Sequence, residues 1–308
     1  MLLIKFFNYF LIKVRNIVSK KLLLIFAQIL IFKSRNFYKV IDLLEKAEVK
    51  IYSQNGEDGI IDYINTSLNL VNFNFVEIGV GDYSEANTRY LYEKYYSKGL
   101  IVDNIDNLYE KVKKNTNLWK GDLRILNTSV TSENINNILA ENCDYEIDLF
   151  SIDIDGIDYW VLKELKRQIS KVFIVEYNPI FGHKLEVTVP NLTNFNRKDY
   201  HYSCLCFGMS LKALINLMDE KGYYFLGTNK FKNNAFFISK HFDKKKYFPN
   251  IIMNDLEYYT NSNFRESRDA NENLNYLSRD KALANIYDCE VVDISNNNFK
   301  IKKIRDFF

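Results

Sequence analysis

The chain has 308 residues, 47% apolar and 15% aromatic, with a formal net charge of +2. That length suits one large α/β domain or two small ones, and the apolar share fills a sizeable core, which excludes bulk disorder. The charge is uneven: residues 1–50 carry ten Lys/Arg against three Asp/Glu, a net of +7, which leaves −5 for the rest. A body of that sign argues against a nucleic-acid partner, which would call for a basic footprint on the domain itself. The four cysteines, at 143, 204, 206 and 289, show no CxxC spacing and no histidine cluster. They read as reduced thiols of a cytoplasmic protein without a zinc site.

Residues 1–50 read as a basic, apolar helical extension. Lys5, Asn8, Arg15, Asn16, Ser19 and Lys20 fall near one helical stripe, with apolar surface around it. Leu22 to Phe32 follows as an apolar run of eleven residues broken only by Gln28. Roughly 20 apolar residues are needed to span a bilayer, so the run is too short. Lys33-Ser34-Arg35 stands where a signal peptide would place its small-residue cleavage site. Two expectations remain for residues 1–40: a basic amphipathic contact with the inner face of an anionic membrane, or a helical pair packed on the body or on a second subunit.

From about residue 73 the pattern alternates. Strand candidates at Phe73–Ile78, Leu100–Val102, Leu123–Leu126, Ile147–Ile152 and Val172–Val175 are spaced by helix-like segments near 85–97, 106–117, 131–140 and 158–169. This is the signature of βαβ units and a parallel sheet covered on both faces. The end of the domain differs. Ser210 can cap a helix through Glu220, and Tyr223–Leu226 and Ala235–Ile238 make an antiparallel hairpin. Five parallel strands, a helix and a terminal hairpin predict a Rossmann-like, seven-stranded mixed sheet over residues 51–242. The polar, Asn-rich stretch 243–308, with helical potential around 268–287, reads as an appendage.

Phe75-Val-Glu-Ile-Gly-Val-Gly-Asp82 puts an acid and two glycines at the carboxyl end of the first strand. In a doubly wound sheet, ligands sit beyond the strand ends where strand order reverses. Gly79 and Gly81 let the backbone approach a ligand without a Cβ in the way. Glu77 supplies a carboxylate suited to the ammonium of S-adenosylmethionine (SAM), and Asp103 ends the second strand where it can accept both ribose hydroxyls. The dinucleotide fingerprint needs a third glycine, but position 84 is Ser. SAM therefore fits better than NAD.

The chain resembles FkbM-type SAM-dependent methyltransferases, and more closely an uncharacterised bacterial branch of them. The residues that carry the likeness are Ser53-Gln-Asn-Gly-Glu-Asp58, Phe75-Val-Glu-Ile-Gly-Val80 with Glu85-Ala-Asn-Thr88, Ser151-Ile-Asp-Ile-Asp-Gly-Ile-Asp158 and Glu176-Tyr-Asn-Pro179. Asn234-Ala-Phe-Phe237 also fits, and the likeness extends toward Arg265-Glu-Ser-Arg-Asp269. It implies SAM as cofactor, held between Glu77 and Thr88 (with Gly79, Gly81, Asn87 and Thr88) and by Asp103. It also implies O-methylation of a small-molecule acceptor such as a sugar or surface-glycan intermediate. One departure stands out: two glutamates of the family pattern after the fourth strand are Asp155 and Asp158 here.

Several residues are candidates for the chemistry. Asn55 and Asp58 read as a helix cap and its capping-box partner, which leaves Gln54 and Glu57 as possible pocket residues. Alternation sends Asp153 and Asp155 to one side of the fourth strand's end. With Glu176 and Asn178 from the fifth, they offer oxygen ligands for Mg²⁺ (Asp153, Glu176 and Asn178 as ligands). The plainer reading is that Asp158 caps the next helix and Asp155-Gly156 turns the chain. His183 is the alternative base. Together with Tyr200, His201 and Tyr202 it lies in the long segment 180–206, where loops commonly cover substrates.

Overall fold

The computed structural model describes residues 20–70, 73–261, 267–295 and 299–308. Helix α1 (Lys20–Arg35) leads into a buried connection and α2 (Glu57–Leu68). The repeating units then follow: β1 (Phe75–Ile78), α3 (Arg89–Tyr95), β2 (Gly99–Asp103), α4 (Leu108–Asn115), β3 (Leu123–Asn127), α5 (Ile135–Asn142), β4 (Ile147–Ile152), α6 (Asp158–Glu164) and β5 (Ser170–Glu176). A short strand β6 (Val187–Thr188) and helix α7 (Arg197–Tyr200) intervene before α8 (Leu211–Glu220), β7 (Tyr223–Thr228) and β8 (Asn234–Ser239).

Seven strands form one sheet in the order β3-β2-β1-β4-β5-β8-β7. The first five run parallel, and β8 pairs antiparallel with both β5 and β7. This is the Rossmann-like mixed sheet that the alternating pattern predicts. Every residue of β1 and β4 is buried, as expected of central strands covered on both faces. Edge strand β3 is only partly buried and carries Arg124 and a terminal Asn127. One apolar layer gathers residues of α5, α6 and α8, including Ile135, Leu162 and Leu214. The other gathers α2, α3 and α4, including Ile60, Leu91 and Val112. As predicted, Ser210 caps α8, accepting from the Ala213 amide at 3.3 Å.

The described part of the N-terminal extension packs on the body. Ala27, Leu30 and Ile31 are buried and join a cluster with Val49, Ile51, Tyr52 and Tyr90. Arg35 makes a forked pair with Asp62 of α2, at 2.9 and 2.7 Å, and Tyr38 donates to the same carboxylate at 2.8 Å. Residues 1–19, which carry most of the predicted basic stripe, lie outside the described residues, as do Arg265 and Glu266 of the family likeness.

The segment after 243 is not set apart. Strand Glu290–Asp293 pairs with β6 on one side and with Lys300–Lys303 on the other, making a three-stranded antiparallel sheet. Ala282, Leu283 and Ile286 share a core with Ile180, Phe181, Leu185, Val187 and Leu205. The predicted appendage and the insertion 180–206 therefore complete each other. Each carries one half of an apolar face, and neither half is long enough to announce itself locally.

Candidate functional site

The strand order reverses between β1 and β4, and the cavity lies there. A space of about 610 Å³ opens at the carboxyl ends of β1 to β4. Its walls include Gly79, Gly81, Asp103, Asn104, Ile105, Thr128, Ser129, Val130, Asp153 and Asp155, and residues 193–196 and Asp199 also line it.

The two glycines serve different ends. Gly79 sits at φ +82, and a Cβ there would come 1.6 Å from the Asp153 carbonyl oxygen, so close packing of β1 against β4 requires it. Gly81 sits at φ +56, yet a Cβ there would meet nothing within 4 Å. It borders the cavity, so the turn leaves a cradle that any side chain would begin to fill. Asp103 accepts from the Gly81 amide at 2.7 Å through one oxygen, and from the Asn104 and Ile105 amides at 2.7 and 3.2 Å through the other. The carboxylate at the end of β2 therefore fixes the glycine turn as well as facing the cavity.

Glu77 differs from the expectation. It is 4% exposed and does not line the cavity. One oxygen accepts from the Asn87 amide at 2.8 Å, and the other from the Thr88 amide at 3.0 Å and the Thr88 hydroxyl. Asn87 also donates to Ser151 on β4 at 3.1 Å. Glu77, Asn87 and Thr88 thus lash the loop after the glycine turn to the sheet rather than presenting polar groups to the cavity. Burial raises Glu77 to about 7, against the donors that hold it down.

At the end of β4 three carboxylates meet. Asp153, Asp155 and Glu176 each offer an oxygen within 4.8 Å of the others. Burial, then the Asp155 charge, pushes Asp153 up to about 8. Burial and the Asp153 charge hold Glu176 well above its ordinary range, and a hydrogen bond joins the two. Like charges so close cannot both ionise cheaply, so the pair retains a proton near neutrality. Asp155 sits at φ +53 and pairs with Arg197 of α7 at 2.6 Å. This bridges the floor of the cavity to the segment that covers it. Phe195 rests against Gly156, where a Cβ would lie 2.7 Å from the ring. Asp158 turns the chain, accepting from the Ile154 and Gly156 amides at 2.9 and 3.0 Å.

Asn178 stands apart from this cluster. It is fully buried, donates to the Leu205 and Phe207 carbonyls at 2.8 and 3.1 Å, and accepts from the Ile180 amide at 3.1 Å. Its amide ties β5 to the insertion and is not presented as a ligand. His183 follows the Pro179–Phe181 turn, which packs on helix Arg279–Asn285, and it is not among the cavity's walls. The motif at 53–58 also works structurally. Asp58 accepts from the Ile51, Tyr52 and Ser53 amides at 2.8, 2.9 and 2.8 Å and exchanges hydrogen bonds with the Ser53 hydroxyl. The cap residue is Gly56, not Asn55. Glu57, fully buried, accepts from Asn229 and Asn234 at 2.8 and 3.0 Å, and Gln54 is exposed.

Sequence reasoning missed Ile105, Thr128, Ser129 and Val130, and the covering residues Phe195 and Arg197. The first four follow the ends of β2 and β3, and the polar Asn127-Thr128-Ser129 turn was the available signal. Residues 193–199 fall within the segment 180–206 that the sequence marks as a cover, but no local feature singles them out within it.

A seven-stranded sheet of this order, with its last hairpin reversed, is the Rossmann-like mixed α/β architecture. No family model matches the sequence, and no curated protein matches it. Solved structures similar to the chain include the pyocyanin biosynthetic protein PhzM (TM-score 0.34, 10% identity, 59% of this chain and 56% of that one). Another is an S-adenosylmethionine-dependent methyltransferase from Clostridium acetobutylicum (TM-score 0.39, 13% identity, 67% of this chain and 96% of that one). A third is M. capricolum TrmK in complex with S-adenosyl-homocysteine (TM-score 0.29, 12% identity, 60% of this chain and 72% of that one). The chain spans little more than half the length of PhzM.

Proposed function

We propose that the chain is a SAM-dependent methyltransferase of FkbM-like type that O-methylates a sugar or related surface-glycan intermediate. The observation that carries the reading is the cavity at the strand-order reversal, with the Gly79–Gly81 turn and Asp103 on one wall and Asp153 and Asp155 on another. Asp103, which lines the cavity, would take the ribose hydroxyls. Ile105 and Val130 supply apolar surface for a base, and the cradle at Gly81 leaves room for the chain between them. The sugar-like acceptor rests on the family likeness.

SAM supplies an electrophilic methyl group on a sulfonium. Transfer is an in-line displacement, so the protein must align the acceptor and take its proton. Asp153, beside Glu176, is the base this reading favours in its deprotonated form, because a carboxylate whose proton affinity is raised toward neutrality matches that task. The Arg197–Asp155 pair positions the covering segment over the acceptor. A second reading rests on the three converging carboxylates, which would suit Mg²⁺ through Asp153, Asp155 and Glu176. His183 lies outside the cavity wall and has no part in either version.

Calorimetric titration with SAM and with its demethylated product tests the binding step. Transfer of labelled methyl to a panel of free and nucleotide-linked sugars tests the reaction. Failure of the folded protein to bind either compound would refute the reading, and binding without transfer to any acceptor would leave a non-catalytic scaffold. Activity that chelation abolishes and Mg²⁺ restores assigns the carboxylates to a cation; activity that survives chelation but is lost in Asp153→Asn assigns Asp153 as base.

A further inference from the structure

Helix α1 carries apolar stripes on opposite sides. Ala27, Leu30 and Ile31 are buried against the body. Ile25, Ile29 and Phe32, spaced by four and three, share the opposite face and are 51%, 46% and 71% exposed. Just beyond the helix, Phe37 and Val40 are exposed as well, at 48% and 70%. The stripe is held outward. The inner face is packed, and Arg35 at the helix end is forked onto Asp62, which is itself buried. A helix that docks one apolar face and displays a second offers a surface for docking.

We propose that this outer stripe docks on an anionic lipid surface. Charge selects the occupant. Residues 1–41 contain eight Lys/Arg and no acid, and Lys33 and Lys39 are exposed beside the stripe. A second copy on the same face would set one net +7 segment against another, whereas anionic headgroups complement it. No helix among the described residues is long and apolar enough to cross a membrane. The geometry is therefore that of a helix lying in the interface, with apolar side chains below and cations at headgroup level.

The test uses the full chain with vesicles of phosphatidylcholine alone and vesicles enriched in phosphatidylglycerol. Co-sedimentation with the anionic vesicles, weakened by salt, is expected. A variant combining Ile25→Asp, Ile29→Asp and Phe32→Asp should lose at least roughly ten-fold in partition at unchanged melting temperature, since the replaced side chains are exposed. Lys33→Glu with Lys39→Glu removes only charge and should lose roughly ten-fold or more as well, so the idea stays testable should the first variant misfold. Absence of binding by the natural chain to anionic vesicles would overturn the proposal, as would equal partition of the charge variant. A concentration-dependent dimer dispersed by the Asp variant would overturn it in favour of a second copy.

Discussion

Asp153→Asn isolates the electrostatic cost at the end of β4. The native Asp153 is raised from 3.8 to about 8, first by burial and then by the Asp155 charge. A carboxyl whose folded pKa is raised adds stability that is complete below its unfolded pKa, and that stability is lost as pH climbs through the folded value. The window therefore runs from about pH 4 to about pH 8, with a slope of about 1.4 kcal/mol per pH unit within it. Between pH 6 and 8 the natural chain should lose about 1–3 kcal/mol as the coupled Asp153–Glu176 pair gives up its proton. Asparagine mimics the neutral carboxyl, so the variant escapes that loss and relieves Glu176 of a neighbouring charge. Urea unfolding at pH 6, 7 and 8 reads the effect as the difference between the two pH slopes, which cancels contributions from other raised acids such as Glu77 and Asp158. Parallel slopes would refute the assignment of a shared, retained proton at Asp153 and Glu176.

Asp103→Ala removes a carboxylate that faces the cavity and holds the Gly81 amide. Affinity for SAM should fall by about 1.5–3 kcal/mol in calorimetry. Gly79→Ala drives a Cβ into the Asp153 carbonyl, so the protein should lose at least about 3 kcal/mol or fail to accumulate, as thermal melts would show. Gly81→Ala should cost only about 1 kcal/mol of stability for its left-handed backbone, yet weaken SAM binding disproportionately because its methyl enters the cradle. Arg35→Ala leaves the buried Asp62 with Tyr38, Tyr95 and Lys94 for partners. A loss of about 1–3 kcal/mol is expected, along with faster proteolysis within α1.

The sequence by itself determined the sheet. The residues of β1 to β5 alternate with amphipathic helices on a period that local physics enforces, and Ser210 and the two terminal strands mark where the parallel run ends. It also located one wall of the cavity, because a glycine turn after a strand and an acid ending the next are local features of the chain. The tertiary structure decided the rest. Glu77 and Asn178 carry the residue types of ligands, but their oxygens and amides are spent on backbone groups that the sequence could not place beside them. Residues 193–199 gained a role only when Phe195 and Arg197 reached Gly156 and Asp155 across the cavity. The 243–308 segment likewise found its core in residues about a hundred positions earlier. The physical reason is one of range. Periodicity and backbone conformation are written within a few residues, whereas burial, the raised pKa values it produces and the pairing of polar groups depend on which distant segments arrive.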